Sequence, residues 1–192
     1  MTSFHLRRLP HYDCINHPTF LTWRLAGTLP QSRIFSPATT SGEAFLAMDR
    51  LLDNARTGPM YLRQPDIGNM VVDAIRYRDS AAYQLHKYVV MANHVHLLVT
   101  PHEPLSKLTQ SLKRFTAREG NRMLGLTGQP FWQDESYDRL VRNEGEFQRI
   151  AFYIEMNPVR AGLAATPEAF PWSSAWPMNN RPQIANLPHN AA

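Results

Sequence analysis

Cysteine is all but missing from this chain: Cys14 stands alone. A single thiol forms no intramolecular disulfide and no thiolate metal cluster, so the fold must rest on a packed core, and the reducing interior of a cell is the expected compartment. Long apolar runs are missing too. Nothing approaches the ~20 residues needed to cross a bilayer, and the stretch from Met1 to Pro10 lacks the apolar core of a secretory leader. The expectation is a soluble, cytoplasmic protein with no membrane partner. No G-x-x-x-x-G-K-[ST] loop occurs, which removes a common cradle for a nucleoside triphosphate. No internal repeat is visible. Acidic residues are in deficit, 16 Asp and Glu against 20 Lys and Arg, and the sequence pI near 9.5 suits a polyanionic partner.

What is present is 43% hydrophobic content over 192 residues, enough to build one core. A single domain is expected over residues 1–176, with the Pro- and Asn-dense stretch 177–192 disordered. From Pro18 to Leu29 β-branched and aromatic residues predict the first strand, closed by Pro30. Phe45, Met48, Leu51 and Leu52 recur at helical spacing, predicting a helix over Ser41 to Arg56, and a second helix is predicted from Pro65 to Tyr77. Tyr83 to Ala92 and His94 to Thr100 read as a hairpin. Leu105 to Met123 carries an apolar stripe of Leu108, Leu112 and Phe115 opposite a basic face, predicting an amphipathic helix. Tyr137 to Arg142 reads as the last strand. Asn143 caps a final helix that is expected to stop near Asn157, because Pro158 follows. The order strand, helices, strand, strand, helix, strand, helix predicts a ferredoxin-like α+β fold, an antiparallel sheet with helices on one face.

Within His94-Val95-His96 the two-residue period of a strand puts both imidazoles on one face. Such a pair is half of a divalent metal site. Tyr153 and Asn157, four apart on the final helix, share a helical face about one turn from each other. If that face lies over the histidines, Asn157 offers an amide oxygen as third ligand and Tyr153 points its hydroxyl at whatever the metal holds. Two nitrogens and an oxygen with open positions suit Mg²⁺ or Mn²⁺ better than a closed zinc site. The chemistry would be transesterification, a phenolate attacking a phosphodiester in line. The plainer alternatives are that Tyr153 is a core aromatic and that Asn157 simply ends its helix. Tyr137 is a competing nucleophile, although its strand position beside Phe131 and Trp132 favours packing, and Glu155 is assigned no role. Arg7, Arg8, Lys107, Lys113, Arg114, Arg118 and Arg122 are the candidate phosphate contacts. Trp23 and Trp132 would stack on bases only if exposed.

Four stretches together resemble a known family: Val89-Val90-Met91-Ala92-Asn93-His94-Val95-His96-Leu97-Leu98, then Pro130-Phe131-Trp132-Gln133, then Tyr153-Ile154 followed by Asn157-Pro158-Val159-Arg160-Ala161-Gly162-Leu163, and Trp172-Ser173-Ser174. In this order they resemble the REP-associated tyrosine transposases, relatives of the single-tyrosine HUH transposases. The resemblance implies an HUH fold in which His94 and His96 match the paired metal ligands, Tyr153 the nucleophile and Asn157 the third ligand. It further implies nicking of single-stranded DNA near hairpins through a 5′-phosphotyrosine intermediate, with strand rejoining. Ala92 departs from the proline that many relatives carry before Asn-His. Monomer and homodimer both stay open. The main expectation is therefore a metal-dependent single-strand endonuclease and strand-transferase acting on hairpin or repeat DNA. The rivals are a catalytically silent DNA-binding protein or repressor of the same fold, and a metal-dependent hydrolase that uses water and makes no demand on Tyr153.

Overall fold

The computed structural model describes residues 3–6, 10–28, 41–53 and 58–177. The expected contacts Arg7 and Arg8, and positions 178–192 of the expected tail, lie outside the described residues. The chain begins with a hairpin the sequence reading missed, β1 (Ser3–Leu6) paired antiparallel with β2 (Pro10–Asp13). Four residues per strand are too few for alternation to register. Pro18–Leu29 therefore contains the third strand, not the first: β3 (Thr19–Arg24). Then follow α1 (Ser41–Asp53), α2 (Pro65–Tyr77), β4 (Tyr83–Val90), β5 (His94–Pro101), α3 (Leu105–Leu124), β6 (Tyr137–Leu140) and α4 (Glu144–Arg160).

The main sheet has the order β4-β5-β3-β6, with every pair antiparallel. This is the strand order of a ferredoxin-like α+β fold, as expected. The helices, however, cover both faces rather than one. Leu21, Trp23, Val95, Leu97 and Val99 pack under Ile67, Val71 and Ile75 of α2 and Leu108 and Leu112 of α3. Phe20, Val89 and Leu98 pack instead with Phe45 of α1 and Ala151 and Ile154 of α4. The reason is written in the central strand: Leu97, Leu98 and Val99 are consecutive and all buried, so both faces need an apolar cover. Each such side chain contributes about 1.5–3 kcal/mol on burial.

Local chemistry sets the helix ends around the site. Asn143 caps α4 as expected, its Oδ1 accepting from Glu146 N–H at 2.9 Å. The helix does not stop at Asn157 but runs through Pro158 to Arg160. In the last turn a proline forfeits one bond to the preceding turn, and Ala161 N–H still reaches the Asn157 carbonyl at 3.0 Å. Trp172-Ser173-Ser174 lies along the open edge of β4. Val90 N–H donates to the Trp172 carbonyl at 2.8 Å and Ser174 N–H to the Tyr88 carbonyl at 2.9 Å, satisfying an edge that would otherwise present unpaired groups. No helix among the described residues is long and apolar enough to cross a membrane.

Candidate metal centre and nucleophile

On the α1/α4 face, β5 presents both histidines from the middle of the sheet, almost wholly buried. The ring centroids of His94 and His96 lie 4.7 Å apart, so the strand period does bring the pair to one face. Each ring is oriented from behind. Asn93 Nδ2 donates to the Leu52 carbonyl at 3.0 Å, which leaves its Oδ1 to accept from His94 Nδ1 at 2.7 Å. That tautomer leaves Nε2 of His94 with a bare lone pair. Burial and the neighbouring His96, only partly offset by Asp49, push the proton affinity of His94 down to about 3, so the ring is neutral at physiological pH. His96 Nδ1 is in turn 2.7 Å from Thr22 Oγ1 on β3.

The two Nε2 atoms converge on a residue the sequence reading passed over. Asp49, only 2% exposed, sits on the inner face of α1 with Oδ1 3.1 Å from His96 Nε2 and 3.5 Å from His94 Nε2. Its other oxygen, Oδ2, accepts from the hydroxyl of Tyr153 and lies 3.4 Å from Asn157 Nδ2. Burial works against the Asp49 carboxylate, but the neighbouring His96, then His94 and Asn157, outweigh it and hold its pKa below the ordinary value. Asp53, one turn further along α1, comes within 3.8 Å of His94 Nε2. Burial and the adjacent Asp49 raise it to about 7.

This arrangement fits a divalent cation. Asp49, His94 and His96 each offer a ligand atom, and the three atoms lie within 4.8 Å of one another. Among the described residues, Asp49 Oδ1, His94 Nε2, His96 Nε2 and Asn157 Oδ1 are buried without a hydrogen-bond partner. Lone pairs that face each other in a dry site repel unless a proton or a metal ion lies among them. Two imidazoles, a carboxylate and an amide oxygen make a mixed N/O donor set of the kind Mn²⁺ and Mg²⁺ accept.

Tyr153 stands over this cluster, its ring 5.7 Å from that of His96 and bracketed by Phe20 and Phe45. Tyr137 stacks on Phe45 at 4.5 Å, in the packing role expected of it. Glu155 pairs with Lys87 at 2.5 Å. A cleft walled by Asp53, Met60, Arg63, Ala92 and Leu163 opens beside His94. Trp23 and Trp132 are both buried and pack edge to face, which removes them as base-stacking surfaces. On α3, Lys107 pairs with Glu103 at 3.0 Å, Arg118 and Arg122 share Glu119, and Lys113 donates to the Gln133 and Asp134 carbonyls; Arg114 is exposed. The signal that would have found Asp49 is an acid inside an apolar helical stripe, four residues after Phe45 and three before Leu52.

The family described as IS200-like transposase matches residues 71–157. No curated protein matches the chain. Among solved structures, a REP-associated tyrosine transposase bound to a REP hairpin superposes with a TM-score of 0.57 at 16% identity, over 95% of this chain and 96% of that one. The stretch from α2 through both histidines and Tyr153 to Asn157 thus carries the pattern of the IS200-like transposases, on a fold shared with a REP-associated tyrosine transposase, and the resemblance drawn from the sequence holds.

Proposed function

We propose that this protein nicks and rejoins single-stranded or hairpin DNA, with Tyr153 as nucleophile and Asp49, His94, His96 and Asn157 as the residues that hold a divalent ion. One observation carries the reading: the two oxygens of a single buried carboxylate divide between the histidines on one side and the Tyr153 hydroxyl on the other. That couples the candidate ion site to the candidate nucleophile through one side chain. The match to the IS200-like family and the hairpin-bound neighbour support DNA as the substrate.

The residues assign the steps. Asp49, kept ionised by its neighbours, is placed to take the phenolic proton of Tyr153. The phenolate oxygen forms a bond to phosphorus, the bond from phosphorus to the 3′-oxygen breaks, and the leaving oxygen takes a proton from solvent. A 5′-phosphotyrosine remains, which preserves the phosphodiester energy for rejoining. Mg²⁺ or Mn²⁺ held at the cluster would supply charge neutralisation at the phosphate. Asn93 and Thr22 keep the imidazole nitrogens aimed, and Phe20 and Phe45 hold the tyrosine ring over the cluster.

The test is incubation of the protein and Mn²⁺ with labelled hairpin oligonucleotides from the flanks of its own gene, followed by denaturing electrophoresis. A covalent adduct is expected for the unaltered chain and none for Tyr153→Phe or His96→Ala. Binding without any adduct in the unaltered chain selects a DNA-binding protein instead. Cleavage retained in Tyr153→Phe selects a water-using hydrolase.

A further inference from the structure

The basic residues picked from the sequence sit mainly on α3, where most of their charge is already spent on Glu103, Glu119 and backbone carbonyls. Two arginines beside the cluster are different. Arg24 ends β3 directly across from His94 in the sheet register, as Thr22 lies across from His96. Directly opposed residues share a face with their Cβ atoms about 4.5–5.5 Å apart, so Arg24 emerges on the face that carries the site. Trp23 and Val95, the next pair along, belong to the other face. Arg24 is half-buried, and among the described residues its guanidinium donates from Nη1 to Thr28 Oγ1 at 3.0 Å. No carboxylate pairs with it among the described residues.

Arg160 occupies the last turn of α4, two turns beyond Tyr153 on the same side of the helix. Its guanidinium carbon lies 5.5 Å from the centroid of the Tyr153 ring. It is exposed and forms no ion pair among the described residues, although its charge is felt by Asp53. A guanidinium offers five N–H donors in a planar fork that matches two phosphate oxygens. Holding the Arg24 guanidinium half-buried, with most of its donors unused among the described residues, is costly unless an anion completes it.

We propose that Arg24 and Arg160 form the phosphate seat of this site, binding backbone phosphates of the strand that Tyr153 attacks. The proposal rests on the DNA reading above and names the protein groups that hold the substrate. It moves the principal phosphate contacts from α3 to two residues that adjoin the reacting groups.

The experiment measures binding alone, in the Tyr153→Phe background with EDTA present, so neither turnover nor metal contributes. A fluorescein-labelled hairpin oligonucleotide with a single-stranded extension, from the gene's own flanks, is titrated by anisotropy across a series of KCl concentrations. Arg24→Ala and Arg160→Ala are each expected to weaken binding roughly 5- to 20-fold and to lower the salt slope by about 0.7–1, the loss of one phosphate contact. Lysine at either position should keep the slope while losing part of the affinity, and Lys107→Ala should change the slope less than either arginine variant. A second measurement needs no folding assumption about the variants: single methylphosphonate substitutions scan the probe, and each neutralised phosphate that weakens the parent should cease to matter in one arginine variant. Unchanged affinity and slope in both alanine variants, with the parent binding normally, overturns the phosphate seat and leaves the nicking reading intact, since the adduct assay reports that separately. A parent that binds no probe and an unaltered chain that forms no adduct overturn both.

Discussion

At the scale of single residues, side chains outside the candidate ligand set orient the cluster. Asn93 does two jobs with one amide: its Nδ2 is committed to the Leu52 carbonyl, and its Oδ1 therefore dictates which nitrogen of His94 carries the proton. Asn93→Ala frees the ring to rotate and to adopt the wrong tautomer. Mn²⁺ affinity, read by calorimetry or by the loss of free-ion paramagnetic signal, should fall about 10- to 100-fold, the usual penalty for losing a group that orients a ligand. Glu146 governs a different property. Although burial opposes its charge, the Arg142 N–H at 2.8 Å, Arg139 at 2.5 Å and Arg142 Nε at 3.4 Å hold its pKa below the ordinary value. A depressed folded pKa means the stabilisation is present above the unfolded value of about 4.3 and is lost as pH falls through the folded one. Glu146→Gln should therefore cost about 1–3 kcal/mol at pH 7, with the gap to the unaltered chain closing in urea titrations as the pH is lowered below the ordinary glutamate range.

At the scale of elements, what the sequence disclosed depended on how local the signal was. α2 was readable to its ends because Pro65 opens it and Met70, Val71, Ala74 and Ile75 repeat at helical spacing; the hairpin carrying the histidines was readable because two strand-like stretches stand back to back and Pro101 and Pro104 stop the second. Asp49 was not, since the cluster residues it meets among the described ones, His94, His96, Tyr153 and Asn157, lie from 45 to more than 100 positions further along the chain, and α1 taken alone is a short amphipathic helix with a few acids. Helices on both faces were implied by three consecutive buried residues in β5, a pattern that also fits a short buried helix. The Phe131-Trp132 pair belongs to packing: the Trp132 indole donates to Thr116 Oγ1 at 2.8 Å, and a Cβ on Gly120 would come within 2.5 Å of the Phe131 ring. Alanine ordinarily favours a helix over glycine by about 1 kcal/mol. Here Gly120→Ala should instead destabilise by about 1–3 kcal/mol, because Phe131 is buried between Tyr61 and Trp132 and cannot retreat. An urea midpoint that rises on this substitution would remove the packing assignment.

At the scale of the whole molecule, the cluster joins parts of the chain that meet only in the finished fold. Asp49 comes from α1, the histidines from β5, and Asn157 with Tyr153 from α4, with 108 positions between the two ends. An unfolded chain cannot assemble those donors, so an ion that binds them binds the native state alone, and the affinity appears as folding free energy. At free Mn²⁺ of about a hundred times its dissociation constant the gain is about 2.7 kcal/mol, which for a chain of this size raises the melting temperature by roughly 5–10 °C. The rise should disappear with EDTA, in His94→Ala and His96→Ala, and in Asp49→Asn, which keeps the shape of the side chain and loses the charge. It should survive in Arg24→Ala and Glu146→Gln, whose side chains are not among the candidate ligands. The decisive contrast is Tyr153→Phe. It removes the hydroxyl from Asp49 Oδ2 and leaves Oδ1 and both imidazoles in place, so the Mn²⁺-dependent rise should persist where the covalent adduct is gone. Loss of both together would mean that the tyrosine supports the cluster itself, and the division of the carboxylate between ion and nucleophile would not stand.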